Sequence, residues 1–179
     1  MDYQTIDEIY DFNKEASEKL CDALSDLSTE ERKMRFEDEK WSIEEIVEHI
    51  SIVEEGMAKI CRKLLRKARE EGTGGPSKVS ISEGYRNKSV EIATLKVEAP
   101  EIVHPTGTRT IEDSSEKMAQ NQLLFDEIRP MFNEVDGIEM KFPHPFLGPL
   151  SAQEWLLLSG EHKIRHIGQI KRVLTKARQ

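Results

Sequence analysis

The fold is decided most clearly by residues 42–65, which read SIEEIVEHISIVEEGMAKICRKLL. Ser42 and Glu45 have the spacing of a capping box, in which each side chain bonds the other residue's backbone amide at a helix start. Apolar residues then recur every three or four positions, which makes one stripe of the helix apolar. The run GTGGP at residues 72–76 is a strong stop signal. The pattern predicts a long amphipathic helix that begins at Ser42 and ends before Gly72.

Three further helices are predicted from the same signals. The first covers residues 5–27 and is followed by a short helical piece that opens at Ser28. The next covers residues 110–133, where Pro130 is expected to shorten or kink its end. The last covers residues 151–177 and opens with a second capping box. Four helices of this length predict an all-α protein, an antiparallel-type four-helix bundle that forms a single domain over residues 1–179.

Residues 72–109 interrupt this helical pattern. They are rich in Gly, Ser, Thr and Pro, and residues 78–81 and 90–97 favour β-structure. We therefore expect a long irregular or small β excursion between the second and third long helices. Long excursions inside a compact domain are often functional.

Composition narrows the possible partners. The chain has 179 residues, of which 37% are hydrophobic, and its formal net charge is −8. That charge argues against nucleic-acid binding, which requires a positive surface. No apolar run approaches the roughly 20 residues of a membrane span, and the N-terminus lacks the pattern of a signal peptide. The expectation is a cytoplasmic protein with no nucleic-acid or membrane partner.

Three of the five histidines fall within predicted helices and are candidate metal ligands. His162 and His166 are four residues apart, so a helix places both rings on one face. His49 lies at the edge of the apolar stripe of the second long helix, and bundle cores commonly hold metals between facing helices. Three imidazoles leave a position open, as in catalytic zinc sites, but their ligand type also suits nickel, copper and iron. The alternative is that all three are ordinary helix histidines.

The other two histidines, His104 and His144, each precede a proline. A residue before proline favours an extended or turn conformation. Both are therefore predicted to be loop residues rather than ligands, although His144 lies just before the last helix and could line the mouth of a pocket.

Three stretches together resemble the DinB/YfiT-like superfamily of four-helix metalloenzymes. They are Trp41–Ile50, which matches a Trp-x-x-x-Glu-x-x-x-His segment, residues 144–156, and residues 162–170, which match a His-x-x-x-His-x-x-Gln-Ile end. The resemblance implies a four-helix bundle that often forms a homodimer. It also implies a zinc- or nickel-type ion held by His49, His162 and His166. Relatives include thiol S-transferases that use low-molecular-weight thiols, a thiol-dependent isomerase, and many proteins described as metal-dependent hydrolases.

The predicted function is a metal-dependent enzyme of thiol S-transferase or hydrolase type that acts on a small molecule, for which a low-molecular-weight thiol is a candidate. A divalent ion lowers the pKa of a bound water or thiol, which both reactions require. Glu45, Glu161 and Gln169 are candidates to orient the ligand rings. The alternative is a non-catalytic metal-binding or interaction module, in which the ion braces the bundle and a fourth ligand, His104 or His144, closes its coordination.

Overall fold

The computed structural model describes residues 3–75, 78–95 and 97–179, and most of these are helical. In chain order the helices are α1 (Ile6–Leu24), α2 (Thr29–Lys33), α3 (Ile43–Glu70), α4 (Glu83–Thr94), α5 (Ile111–Ile128), α6 (Met131–Glu134) and α7 (Ala152–Ala177). A short 3-10 helix, Glu101–Val103, precedes α5, and two strands, β1 (Lys141–His144) and β2 (Gly148–Ser151), precede α7. Among the described helices, none has both the length and the apolar character that crossing a bilayer requires.

The four long helices form the predicted bundle. Helix α7 packs against α1 and α3, and α3 also packs against α5. The hydroxyl of Tyr10 on α1 donates to the backbone carbonyl of Phe125 on α5 at 2.6 Å, which links the remaining pair. The prediction of an all-α four-helix bundle is therefore confirmed, and α3 and α7 are neighbours along their length.

Helix ends follow the local signals that the sequence displays. Capping boxes are present at Ser42 with Glu45 and at Ser151 with Glu154, so α3 and α7 begin one residue later, after their N-caps. Helix α5 ends at Ile128, and Pro130 instead opens the short α6. A proline lacks the backbone N–H that a helix interior needs, whereas the start of a helix tolerates it.

The prediction of an irregular or β excursion at residues 72–109 is wrong for residues 83–94, which form α4. Ser82 caps this helix by accepting from the Tyr85 amide, and Tyr85 is only 2% exposed. At the other end, the guanidinium of Arg165 on α7 donates to the carbonyls of Ile92 and Leu95. Packing and capping by α7 therefore override the β-preference of residues 90–94. Residues 76, 77 and 96 of the predicted excursion lie outside the described residues.

The strands occur where the sequence analysis placed none. Strands β1 and β2 form an antiparallel hairpin, with Phe142 opposite Leu150 and His144 opposite Gly148. Gly148 has a φ of +83°, a backbone conformation that glycine adopts without steric cost. The short run between His144 and Ser151 is thus a turn and a strand leading directly into α7.

A polar layer separates two apolar clusters in the core. One cluster lies around Met57, Phe132 and Leu156, and the other around Ile46 and Ile170. Between them lie the buried polar residues Ser51 and Glu54 on α3 and Ser159, Lys163 and His166 on α7. Glu48 and His49 are also buried and lie on α3 beside Ile46 and Ile50 of the second cluster. Buried polar groups must find partners within the protein. The candidate site is part of this layer.

Candidate metal centre

The three histidines singled out in the sequence meet between α3 and α7. One ring nitrogen of each of His49, His162 and His166 lies within 4.8 Å of the others. His49 and His166 are 2% and 7% exposed, and His162 is partly exposed. Among the histidine, cysteine, aspartate and glutamate side chains of the described residues, these three histidines form the group whose ligand atoms converge in this way.

For two of the three rings, the separation of the nitrogens is close to that expected around one ion. The Nε2 atoms of His162 and His166 are 3.1 Å apart. Two nitrogens bound to one tetrahedral zinc ion are about 3.4 Å apart, because each Zn–N bond is about 2.0–2.1 Å. Ring centroids lie 5.1 Å apart for His49 and His162 and 4.9 Å apart for His49 and His166. The three rings therefore pack directly against one another, with their ligand nitrogens within 4.8 Å.

The ring of His49 is oriented by a backbone carbonyl. Its Nδ1 atom lies 2.7 Å from the carbonyl oxygen of Val103, at the end of the 3-10 helix. Because a carbonyl only accepts, Nδ1 carries the proton, and Nε2 retains its lone pair. The indole ring of Trp41 packs against the same imidazole, with ring centroids 4.7 Å apart.

The ring of His166 is oriented by a side-chain relay. Its Nδ1 atom lies 2.9 Å from Oε1 of Gln169, and Nε2 of Gln169 donates to a carboxylate oxygen of Glu39 at 3.2 Å. Arg172 lies 3.6 Å from the other oxygen of Glu39. The amide oxygen accepts the Nδ1 proton, so Nε2 of His166 keeps its lone pair, which faces Nε2 of His162 at 3.1 Å. The arrangement is that of a metal ligand whose second nitrogen is hydrogen-bonded to the protein.

All three imidazoles are held in the neutral form that binds a metal. Burial lowers the pKa of His49, and burial also lowers the pKa of His166, to about 3. The pKa of His162 falls well below its ordinary value, first because of burial and then because of the neighbouring histidines. A protonated imidazole has no lone pair to give to a metal. At neutral pH this group therefore offers three nitrogen donors.

Two of the three residues expected to orient the rings make other contacts. Glu45 accepts from the backbone amide of Ser42 at 2.8 Å and pairs with Arg35 at 2.5 Å. Its carboxylate therefore caps α3 and does not orient a histidine ring. Glu161 accepts from the hydroxyl of Tyr85 at 2.7 Å, and burial raises the pKa of this carboxyl group. Only Gln169 contacts a ring of the cluster. The Val103 carbonyl was missed because side-chain patterns carry no information about which distant backbone atom reaches a helix.

His104 and His144 lie outside the cluster. His104 is a loop residue, as predicted, but the prediction is wrong for His144, which is the last residue of β1. Nε2 of His104 bonds the Ala99 carbonyl at 2.8 Å, and its ring packs edge-on against Trp41. Nδ1 of His144 accepts from the backbone amides of Phe146 and Leu147 at 3.2 and 3.1 Å, which stabilises the hairpin turn. Burial lowers the pKa of His144 to about 4. Both rings therefore have structural partners elsewhere.

Comparison with known proteins identifies the family and the fold of the chain. The model of the DinB superfamily matches residues 13–170. The chain is 23% identical over 167 residues to YuaE, an uncharacterized protein of Bacillus subtilis (strain 168), with 90% of this chain and 94% of YuaE covered. The crystal structure of TT2238, a four-helix bundle protein, matches with a TM-score of 0.59 and 18% identity, over 93% of this chain and 98% of that one. The resemblance drawn from the sequence is confirmed, and the chain belongs to the DinB superfamily.

Proposed function

We propose that this member of the DinB superfamily holds one divalent metal ion, zinc or nickel, through His49, His162 and His166. The observation that carries the proposal is the convergence of three imidazole nitrogens within 4.8 Å. Two of the rings have their Nδ1 atoms bonded to acceptors, which points their Nε2 lone pairs toward the shared space. Imidazole nitrogen is a ligand for zinc and nickel alike, so the donor set fits either ion.

We further propose that the site is catalytic. Structural zinc usually has four protein ligands, whereas catalytic zinc has three and keeps a position for water or substrate. His104 and His144, the candidates for a fourth ligand, are both engaged in other hydrogen bonds. A bound ion supplies a lowered pKa to a water or thiol that binds next to the three imidazoles. The reaction we propose is thiol S-transfer or hydrolysis on a small molecule.

The protein's own residues have three tasks in this proposal. The three histidines bind the ion, and the Val103 carbonyl and Gln169 keep two of their rings in the binding tautomer. Trp41 covers one side of His49 and excludes water there. We place the approach of a small molecule on the side of His162, because this ring is partly exposed. The homodimer implied by the family resemblance and the cytoplasmic location expected from the sequence stay predictions.

A non-catalytic module is the second candidate, favoured by the fact that the ligands join α3 to α7. An ion at this point would brace two helices of the bundle and contribute to folding stability. The two candidates differ in the fourth position. X-ray absorption of the zinc-loaded protein distinguishes them, because a catalytic site gives three imidazoles plus an exchangeable oxygen or sulfur ligand, and a bracing site gives four protein ligands.

The first test is elemental analysis of protein purified without an affinity tag. We expect about one zinc or nickel ion per chain, lost in His49→Ala and His166→Ala and retained in the control His144→Ala. Absence of metal in the parent protein, even after loading and dialysis, would contradict the proposed site. If metal is bound, transfer of low-molecular-weight thiols to electrophiles is then compared in the loaded and metal-free protein. Equal rates in the two forms would rule out metal-dependent thiol transfer.

A further inference from the structure

Glu48, which directly precedes His49 on α3, is a fully buried acidic residue. It is 0% exposed, and its two carboxylate oxygens have separate partners on the loop before α5. One oxygen accepts from the hydroxyl of Thr106 at 2.7 Å, and the other accepts from the backbone amide of Gly107 at 2.9 Å. Arg109 lies 3.9 Å from the first oxygen. Because a buried carboxylate is costly unless it is paired and hydrogen-bonded, Glu48 and this loop stabilise each other.

The loop that Glu48 holds is the loop that orients His49. Val103, whose carbonyl bonds Nδ1 of His49, is three residues before Thr106. Pro105 restricts the backbone between them, and Gly107 has a φ of +71° that favours glycine. A Cβ atom at Gly107 would also lie 3.2 Å from an oxygen of Glu45. The connection is thus short and conformationally restricted, so a shift at residues 106–107 is transmitted to the Val103 carbonyl.

Two successive residues of α3 therefore form hydrogen bonds to the loop at two points. Glu48 and His49 project about 100° apart around the helix axis, so they reach different parts of the loop. The carboxylate bonds residues 106 and 107, and the imidazole bonds residue 103. Neither the sequence pattern nor the family resemblance assigns a role to Glu48.

We infer that Glu48 is a positioning residue for the metal centre: its carboxylate fixes the loop that holds His49 in the tautomer with a proton on Nδ1 and a free Nε2. The inference rests on the proposed metal function for its consequence, but the tautomer itself is a property of the metal-free protein. Glu48 acts through the loop and does not bind the ion. Loss of its hydrogen bonds would release the Val103 carbonyl and allow His49 to rotate or change tautomer.

The direct test is ¹⁵N NMR of the imidazole nitrogens in metal-free protein. In the parent, His49 should show a protonated Nδ1 and an unprotonated Nε2. Glu48→Gln, which retains the size of the side chain but loses an acceptor, should give mixed tautomers or a broadened Nδ1 proton signal. Thr106→Val removes one of the same hydrogen bonds from the loop side, where the bundle core is not disturbed, and should act in the same direction. Glu44→Gln removes the same charge one turn earlier, at a partly exposed side chain, and should leave the signal unchanged.

The second test is zinc affinity by competition with a chelator. Loss of groups that orient metal ligands typically costs about 10- to 100-fold in affinity, and we expect about 10-fold for Glu48→Gln and less for Thr106→Val. If the parent binds zinc and both variants bind it equally well with an unchanged His49 tautomer, the inference is wrong and the proposed metal function stands. If the parent binds no zinc, the proposed function fails, and the tautomer measurement still decides whether Glu48 positions His49.

Discussion

The Nδ1 atom of His166 lies 2.9 Å from Oε1 of Gln169, one turn further along α7. The amide nitrogen of Gln169 then donates a hydrogen bond to Glu39, which lies on the segment between α2 and α3. A single amide side chain therefore links a candidate ligand to a distant carboxylate. Its amide oxygen can only accept, which sets the His166 proton on Nδ1 and leaves Nε2 for a metal.

Replacing Gln169 with alanine should weaken metal binding without unfolding the bundle. The substitution removes the acceptor for the Nδ1 proton of His166, so the ring loses its fixed tautomer and orientation. We expect about a 10-fold loss of zinc affinity, measured by competition with a chromophoric chelator. Lys171→Ala, two residues later and exposed to solvent, is the matched control and should bind zinc as the parent does. Equal affinity in the two variants would show that the relay does not orient the ligand.

Two glycines of α7 should respond oppositely to alanine. A Cβ atom at Gly160 would lie 2.5 Å from Cε1 of Phe12 and would also collide with Asn13, so α1 approaches α7 closely here. Gly160→Ala should lower the free energy of unfolding by about 1–3 kcal/mol, because the added methyl forces the helices apart. At Gly168 the nearest atom would be 3.9 Å away, on the side chain of Arg172. Gly168→Ala should raise stability by about 0.5–1 kcal/mol through helix propensity.

Urea unfolding followed by circular dichroism compares these two variants with the parent. The two substitutions add the same atoms to the same helix, so the difference between them isolates the contact with α1. A Gly160→Ala protein as stable as the Gly168→Ala protein would contradict the close approach of α1 and α7.

A buried ion pair should make Lys163 more sensitive than other lysines. Lys163 on α7 bonds Glu54 on α3, and their side chains are 3% and 4% exposed. Asn121 on α5 donates to the Ser51 carbonyl at 2.8 Å and to Glu54 at 3.4 Å, so the pair joins three helices. Lys163→Met leaves a carboxylate buried without its cation and should cost about 3–5 kcal/mol of stability.

The double variant Lys163→Met with Glu54→Leu tests the cause of that loss. Removing both charges relieves the unpaired carboxylate, so the double variant should be more stable than Lys163→Met alone. Lys171→Met, an exposed lysine on the same helix, should change stability by less than about 0.5 kcal/mol. A double variant that is less stable than Lys163→Met would indicate that the cost arises from lost packing and not from the charge.

Local signals were sufficient to predict the four long helices and the shared face of His162 and His166. Helix starts such as Ser42 and Ser151 depend on residues within one turn, and the spacing of His162 and His166 fixes their shared face. The partnership with His49, 113 positions before His162, came from the family resemblance, because no local rule connects residues on different helices. The convergence of all three within 4.8 Å agrees with that implied ligand set.

What the sequence did not predict depends on contacts between distant segments. Helix α4 contains β-favouring residues, but Tyr85 is buried and Arg165 binds the carbonyls at its end. The carbonyl of Val103 reaches Nδ1 of His49 only because the loop before α5 folds over α3. Glu48 resembled one more charged residue of an amphipathic helix, and only its burial reveals a role. In each case the deciding partner lies more than 50 residues away in the chain.

Metal-free protein should lose stability as the pH falls from about 7 to 5. Burial lowers the folded-state pKa of His166 to about 3 and of His144 to about 4, and it also lowers the pKa of His49 and His162, whereas an unfolded histidine titrates near pH 6.5. In this range the unfolded chain binds more protons than the folded chain, so stability is fully present above about pH 6.5 and declines below it. His166 alone should account for about 1–2 kcal/mol between pH 7 and 5. Glu161 acts in the opposite direction, because burial raises its pKa.

Urea midpoints measured with a chelator present test this expectation. A double variant, His162→Gln with His166→Gln, should show a weaker pH dependence, and a parent whose midpoint is unchanged between pH 7 and 5 would mean that these rings are not buried in the neutral form.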